Sequence, residues 1–123
     1  MADVAYLIQD MLFSSKLRET AKPLGLTVQG ARDVAGLLTA ARAGARLVVV
    51  DLRLPVALDA LAALHGDPAL AGVPAVGFID HERTDVMDEA RARGCQQVMA
   101  KGQFANALPK LLGGLSSPAS SSP

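Results

Sequence analysis

Short apolar runs recur along the chain at Val4–Ile8, Leu26–Gln29, Leu47–Val50, Ala75–Ile79 and Gln97–Ala100, each bounded by glycine, proline or a charged residue. Such runs are the pattern of short β-strands. Between them the apolar positions shift to helical spacing. The segments Ser14–Leu24 and Asp33–Ala43 read as helices, the second with Val34, Leu37, Leu38 and Ala41 on one face and Asp33 placed to cap it. A third helix is expected over Leu58–His65, ahead of the Gly66-Asp67-Pro68 breaker, and a fourth over Glu82–Arg93, stopping at Gly94. The last, Phe104–Leu112, turns Phe104, Leu108, Leu111 and Leu112 inward and contains Pro109, which predicts a late start or a kink.

Strands that alternate with helices call for right-handed β-α-β crossovers and a parallel sheet covered on both faces. The expected fold is therefore α/β, a single doubly wound five-stranded parallel sheet of flavodoxin-like type with helices on both faces. The run Leu47-Val48-Val49-Val50, apolar on both sides, reads as a central strand. One domain is expected over residues 1–113. The Ser/Pro-rich stretch 114–123 reads as a flexible tail, because it is too polar to hold a structure by itself.

Composition narrows the function classes. At 123 residues one core suffices, and twelve basic side chains cancel twelve acidic ones, so no net field draws the chain to nucleic acid or an anionic membrane. Half the residues are hydrophobic but only Tyr6, Phe13, Phe78 and Phe104 are aromatic, which makes the core mainly aliphatic. The single cysteine, Cys95, excludes an internal disulfide and reads as a small buried hydrophobe. Without a basic leader or an apolar run near the roughly 18 residues of a membrane span, a cytoplasmic setting is the expectation.

In an open parallel sheet, ligands bind beyond the carboxyl ends of the strands. There the chain carries Gln9-Asp10, Asp51-Leu52-Arg53, Asp80-His81 and Lys101. Closely spaced carboxylates repel unless a cation lies between them, and a hard divalent ion such as magnesium answers that need. A carboxylate can also attack phosphorus while a cation neutralises the phosphoryl oxygens. Asp51 is the candidate nucleophile; otherwise it simply ends a buried strand. His81 reads as a solvated loop residue and His65 as a helix-end residue. The mixed charges of the fourth helix read as a solvated face.

These positions make residues 4–112 resemble the receiver domain of two-component response regulators. The run Leu47-Val-Val-Val-Asp51-Leu-Arg-Leu-Pro55 matches the family's apolar strand, phosphoacceptor Asp and following proline. The resemblance implies that Asp51 is the phosphoacceptor and that Asp10, Asp51 and the main-chain carbonyl of Arg53 hold magnesium. Lys101 would contact the phosphoryl group. It also implies signalling partners, a histidine kinase or a separate output protein, met through the fourth helix, fifth strand and fifth helix, a surface that can also form homodimers.

The departures are specific. Gln9 replaces one member of the family's acidic pair, which should weaken magnesium binding. Ile79 stands where a Ser or Thr hydroxyl is expected, Asp80 where a small residue is, Val98 where the switch aromatic is, and Gly102 where a proline is. An isoleucine cannot donate a hydrogen bond to a phosphoryl oxygen. The expectation is a stand-alone pseudo-receiver that works through protein contacts with an atypical switch and no enzymatic activity. Two rivals are weaker. A phosphatase of haloacid dehalogenase type needs an Asp two residues after the nucleophile, where Arg53 stands. A nucleotide- or flavin-binding domain needs a phosphate loop after the first strand, of which Ser14-Ser15 is a thin version.

Overall fold

A computed structural model describes residues 2–116. The elements in chain order are β1 (Val4–Leu7), α1 (Met11–Ala21), β2 (Val28–Gly30), α2 (Val34–Arg42), β3 (Leu47–Asp51), α3 (Ala57–Gly66), β4 (Ala75–Ile79), α4 (Thr84–Ala92), β5 (Gln97–Ala100) and α5 (Lys101–Ser116). A single 3-10 turn, Lys22–Leu24, follows α1. All five strands are parallel in the order β2-β1-β3-β4-β5, so β3 is central as its four consecutive apolar residues require.

Successive side chains of a strand face opposite sides, and this alternation divides the core. Val48 and Val50 join Leu37, Leu61 and Ala90 beneath α2, α3 and α4. Leu47 and Val49 join Phe13, Leu17, Phe104, Leu108 and Leu112 beneath α1 and α5. Three of the four aromatic residues meet on this second face. Phe78 stacks on Phe104 with ring centroids 4.4 Å apart, and Phe13 lies 5.0 Å from Phe78 and 6.0 Å from Phe104. Their burial helps anchor α1 and α5 to this face of the sheet.

The strand and helix count matches the expectation, while several boundaries differ for identifiable reasons. The first helix starts at Met11, not Ser14, because Asp10 caps it: Leu12 N and Phe13 N donate to Asp10 Oδ1 at 2.9 and 3.3 Å. Met11 and Leu12 are 79% and 64% exposed, so the first turn carries no inward apolar position to announce it. The helix gives way at Lys22-Pro23-Leu24 and the chain turns at Gly25, whose φ of 73° suits glycine. The second strand begins at Val28 instead of Leu26, since Leu26 N donates to Ala21 O and Leu26 packs into the core as part of the turn.

Helix α3 is one residue longer at each end than expected. Helix α4 begins at Thr84, because residues 80–83 form a turn in which Arg83 N donates to Asp80 O. Helix α5 starts at Lys101 directly after β5, three residues before Phe104, and includes Pro109. Proline removes one N–H from the helix, and the fully buried Phe104, Leu108 and Leu112 on its inner face hold the helix to the sheet on both sides of that loss. The helix also continues to Ser116, into the segment expected as tail from 114; the remainder of that segment lies outside the described residues. Among the described residues no helix is long and apolar enough to cross a membrane.

Candidate functional site

The registers align the carboxyl ends of the strands. Leu7 pairs with Val50 between β1 and β3, Asp51 with Phe78 between β3 and β4, and Ile79 with Ala100 between β4 and β5. The order of strands reverses between β1 and β3, which makes that seam the topological switch point where an open α/β sheet offers its crevice. A cleft of about 140 Å³ lies there, lined by Gln9, Asp10, Asp51 and Arg53. Four of the expected site residues are therefore brought together.

Asp51 ends β3 on the face of Leu47 and Val49 and is 1% exposed. Burying a carboxylate is costly unless it is hydrogen-bonded. Here Arg53 N donates to Asp51 Oδ1 at 3.0 Å, and Leu54 N donates to the Asp51 carbonyl at 3.1 Å. Asp51 thus closes the turn that leads into α3 while its other carboxylate oxygen, Oδ2, is left for the cleft.

Asp10 is divided in a similar way. Its Oδ1 caps α1, and its Oδ2 lies 3.9 Å from Arg53 Nη1. The Arg53 side chain is about half exposed and reaches back over the cleft from the β3–α3 turn. Its guanidinium was not foreseen in the sequence, where only the main-chain carbonyl of Arg53 received a role. Gln9 is exposed at the rim.

The remaining expected residues do not line this cleft. Lys101 Nζ lies 3.6 Å from Asp80 Oδ1, with side chains 28% and 51% exposed, so Lys101 forms its ion pair with Asp80. The same ammonium stands 5.5 Å from the centroid of the Phe13 ring, close enough for a cation–π contact. Position 80 therefore supplies a competing counter-ion for Lys101. Ile79 is 1% exposed and packs in the cluster under α2, α3 and α4, with the half-buried Val98 against the same cluster. The positions expected to carry a hydroxyl and the switch aromatic are thus filled by aliphatic side chains packed in or against the core. Phe13 follows Asp10 by three positions and Phe104 follows Lys101 by three, and Phe13 is the ring that the Lys101 ammonium meets.

Magnesium prefers near-ideal octahedral oxygen ligation. In this arrangement the residues do not fit the ion. One oxygen of each carboxylate already accepts main-chain hydrogen bonds, Asp10 Oδ2 faces a guanidinium, and Gln9 supplies no charge. Among the described residues no group of three His, Cys, Asp or Glu side chains is disposed to hold a metal ion.

The architecture is the flavodoxin-like fold of response-regulator receivers, five parallel strands in one sheet with five helices. No protein-family model matches the chain, and neither does any curated protein. Solved structures do. The chemotaxis response regulator CheY4 of Vibrio cholerae is similar at 20% identity and a TM-score of 0.75, over 94% of this chain and 98% of that one. The phosphorylated cyanobacterial phytochrome response regulator RcpA aligns at 18% identity and 0.71, over 100% and 97%. The receiver domain of a signal-transduction histidine kinase from Syntrophus aciditrophicus aligns at 13% and 0.78, over 100% and 96%.

Proposed function

We propose that this chain is a receiver-like signal-transduction domain that acts through protein-protein contact, with Asp51 in the acceptor position of an atypical switch. The observation that carries this reading is the placement of Asp51. It is a buried carboxylate at the end of the central strand, with one oxygen bound to Arg53 N and the other left to an open cleft at the topological switch point. In phosphoryl transfer, Asp51 Oδ2 would attack the donor's phosphorus, forming the acyl phosphate bond as the bond to the leaving group breaks and that group departs with the electron pair. Gln9 and the engaged carboxylate oxygens disfavour magnesium at this site.

The switch is atypical because its usual relay lacks parts. With Ile79 at the end of β4 no hydroxyl can follow the phosphoryl group, and Lys101 is held by Asp80. A histidine kinase, a separate output protein or a second copy of this chain would dock on the surface of α4, β5 and α5. The phosphatase reading finds Arg53, a cation, where a general acid is needed. The flavin- or nucleotide-binding reading finds Ser14 buried and its hydroxyl donating to Met11 O, so it lines no phosphate loop.

Intact-mass measurement after exposure to a small acyl phosphate tests the acceptor assignment. The expected result is the gain of one phosphoryl group by the wild type and none by Asp51→Asn. An unmodified wild type, or equal modification of the variant, overturns it.

A further inference from the structure

The negative charge around the cleft is partly offset from within the chain. Asp10 and Asp51 both line it, and two carboxylates bordering one small cleft favour a cation nearby. The Arg53 guanidinium is that cation: it lines the cleft with both carboxylates and stands 3.9 Å from Asp10 Oδ2. The position is set by the fold, because the main-chain N of the same residue donates to Asp51 Oδ1 and so fixes where the side chain starts. One residue thereby touches both carboxylates, Asp51 through its amide and Asp10 through its side chain. Arginine is well suited to the task, being charged at every relevant pH and weakly hydrated.

We infer that the Arg53 guanidinium occupies the electrostatic role of a divalent cation at the Asp10–Asp51 cleft, making the site independent of metal. The inference rests on the reading of this cleft as an acceptor pocket. Arg53 is a positioning residue: its amide fixes Asp51 Oδ1 and its side chain pairs with Asp10 Oδ2. A divalent ion entering beside Asp10 must approach the guanidinium or displace it. A unit charge against a divalent ion at about 4 Å, even in high dielectric, disfavours binding by roughly thirtyfold.

Thermal unfolding of the full chain in rising magnesium, with sodium chloride at matched ionic strength as the control, tests this. The wild type and Arg53→Lys are expected to show no specific magnesium stabilisation at millimolar ion. Arg53→Ala should acquire a saturable rise in Tm, with an apparent affinity about thirtyfold above any residual in the wild type. That rise should vanish in Arg53→Ala combined with Asp51→Asn. The side chain is about half exposed, so its removal leaves the core intact. Equal magnesium stabilisation of wild type and Arg53→Ala, or none in either, overturns the inference. Phosphoryl chemistry does not enter this readout, so the metal independence and the acceptor role of Asp51 fail separately.

Discussion

Asp10 performs two tasks with two oxygens, and substitution can separate them. Replacing it with alanine orphans the amides of Leu12 and Phe13 at the start of α1 and also removes the partner of Arg53. Loss of an N-cap costs about 1 kcal/mol, within a range of roughly 0.5–2. The ion pair is long, at 3.9 Å, and its side chains are 52% and 26% exposed, so screening limits it to about 0.5 kcal/mol. Asp10→Ala should therefore lose about 1.5 kcal/mol. Asparagine caps about as well as aspartate, so Asp10→Asn should lose only the ion pair, or less, because it also removes a negative charge near buried Asp51. For a domain of this size the corresponding falls in Tm are roughly 5–7 °C and at most about 2 °C. Urea unfolding of the three proteins in low salt and in about 1 M sodium chloride, where the Debye length is about 3 Å, completes the separation. The difference between Asp and Asn should collapse in salt, and the difference between Asn and Ala should persist. An Asn variant as unstable as the Ala variant, or an Asn–Ala gap that disappears in salt, would refute the division of roles.

Two further predictions concern the frame around the site. At Gly94, φ is +97° and a Cβ would meet His65 Nδ1 at 2.6 Å and His65 Cβ at 2.9 Å, so Gly94→Ala should destabilise by at least about 1–2 kcal/mol in urea unfolding. Adding His65→Ala should restore only the part of the clash made by the imidazole, since its Cβ remains, and a neutral Gly94→Ala would contradict the geometry. The Cys95 thiol is buried, donates to Gln97 O at 3.2 Å, and has its pKa pushed up to about 11 by desolvation. Between pH about 9 and 11 the unfolded thiol loses its proton while the folded one keeps it, so this contribution to stability is full below pH 9 and is lost as pH rises. Cys95→Ala should show a shallower decline across that window than the wild type; equal slopes would exclude the effect.

The alternation of short apolar runs with helical spacing was enough to read the sheet, because parallel strands buried on both faces leave little room for ambiguity at Leu47–Val50. Helix starts were harder to read. At α1 the signal was Asp10 itself, already assigned to chemistry, followed by two exposed apolar residues that carry no inward periodicity. At α5 the helix begins on Lys101, where a polar stretch reads as loop until Phe104. Asp80 and Lys101, expected to converge with Asp10 and Asp51, do not line the cleft, whereas the meeting of Asp10 and Asp51 was legible from the strand ends. The pairing within the site was not, since the sequence gives no means of knowing that Lys101 meets Asp80 or that the Arg53 guanidinium folds back toward Asp10. Those contacts depend on loop geometry that hydrophobic periodicity does not encode.

The central claim is that Asp51 holds an acceptor pocket whose response is not relayed through Ile79 and Val98. Residue-resolved amide spectra with beryllofluoride, a phosphoryl mimic, with and without magnesium, test it most directly on the wild type and Asp51→Asn. The account predicts saturable shifts confined to the β1–α1 and β3–α3 turns, absent in Asp51→Asn. Shifts spreading to α4, β5 and α5, or none at Asp51, would contradict it.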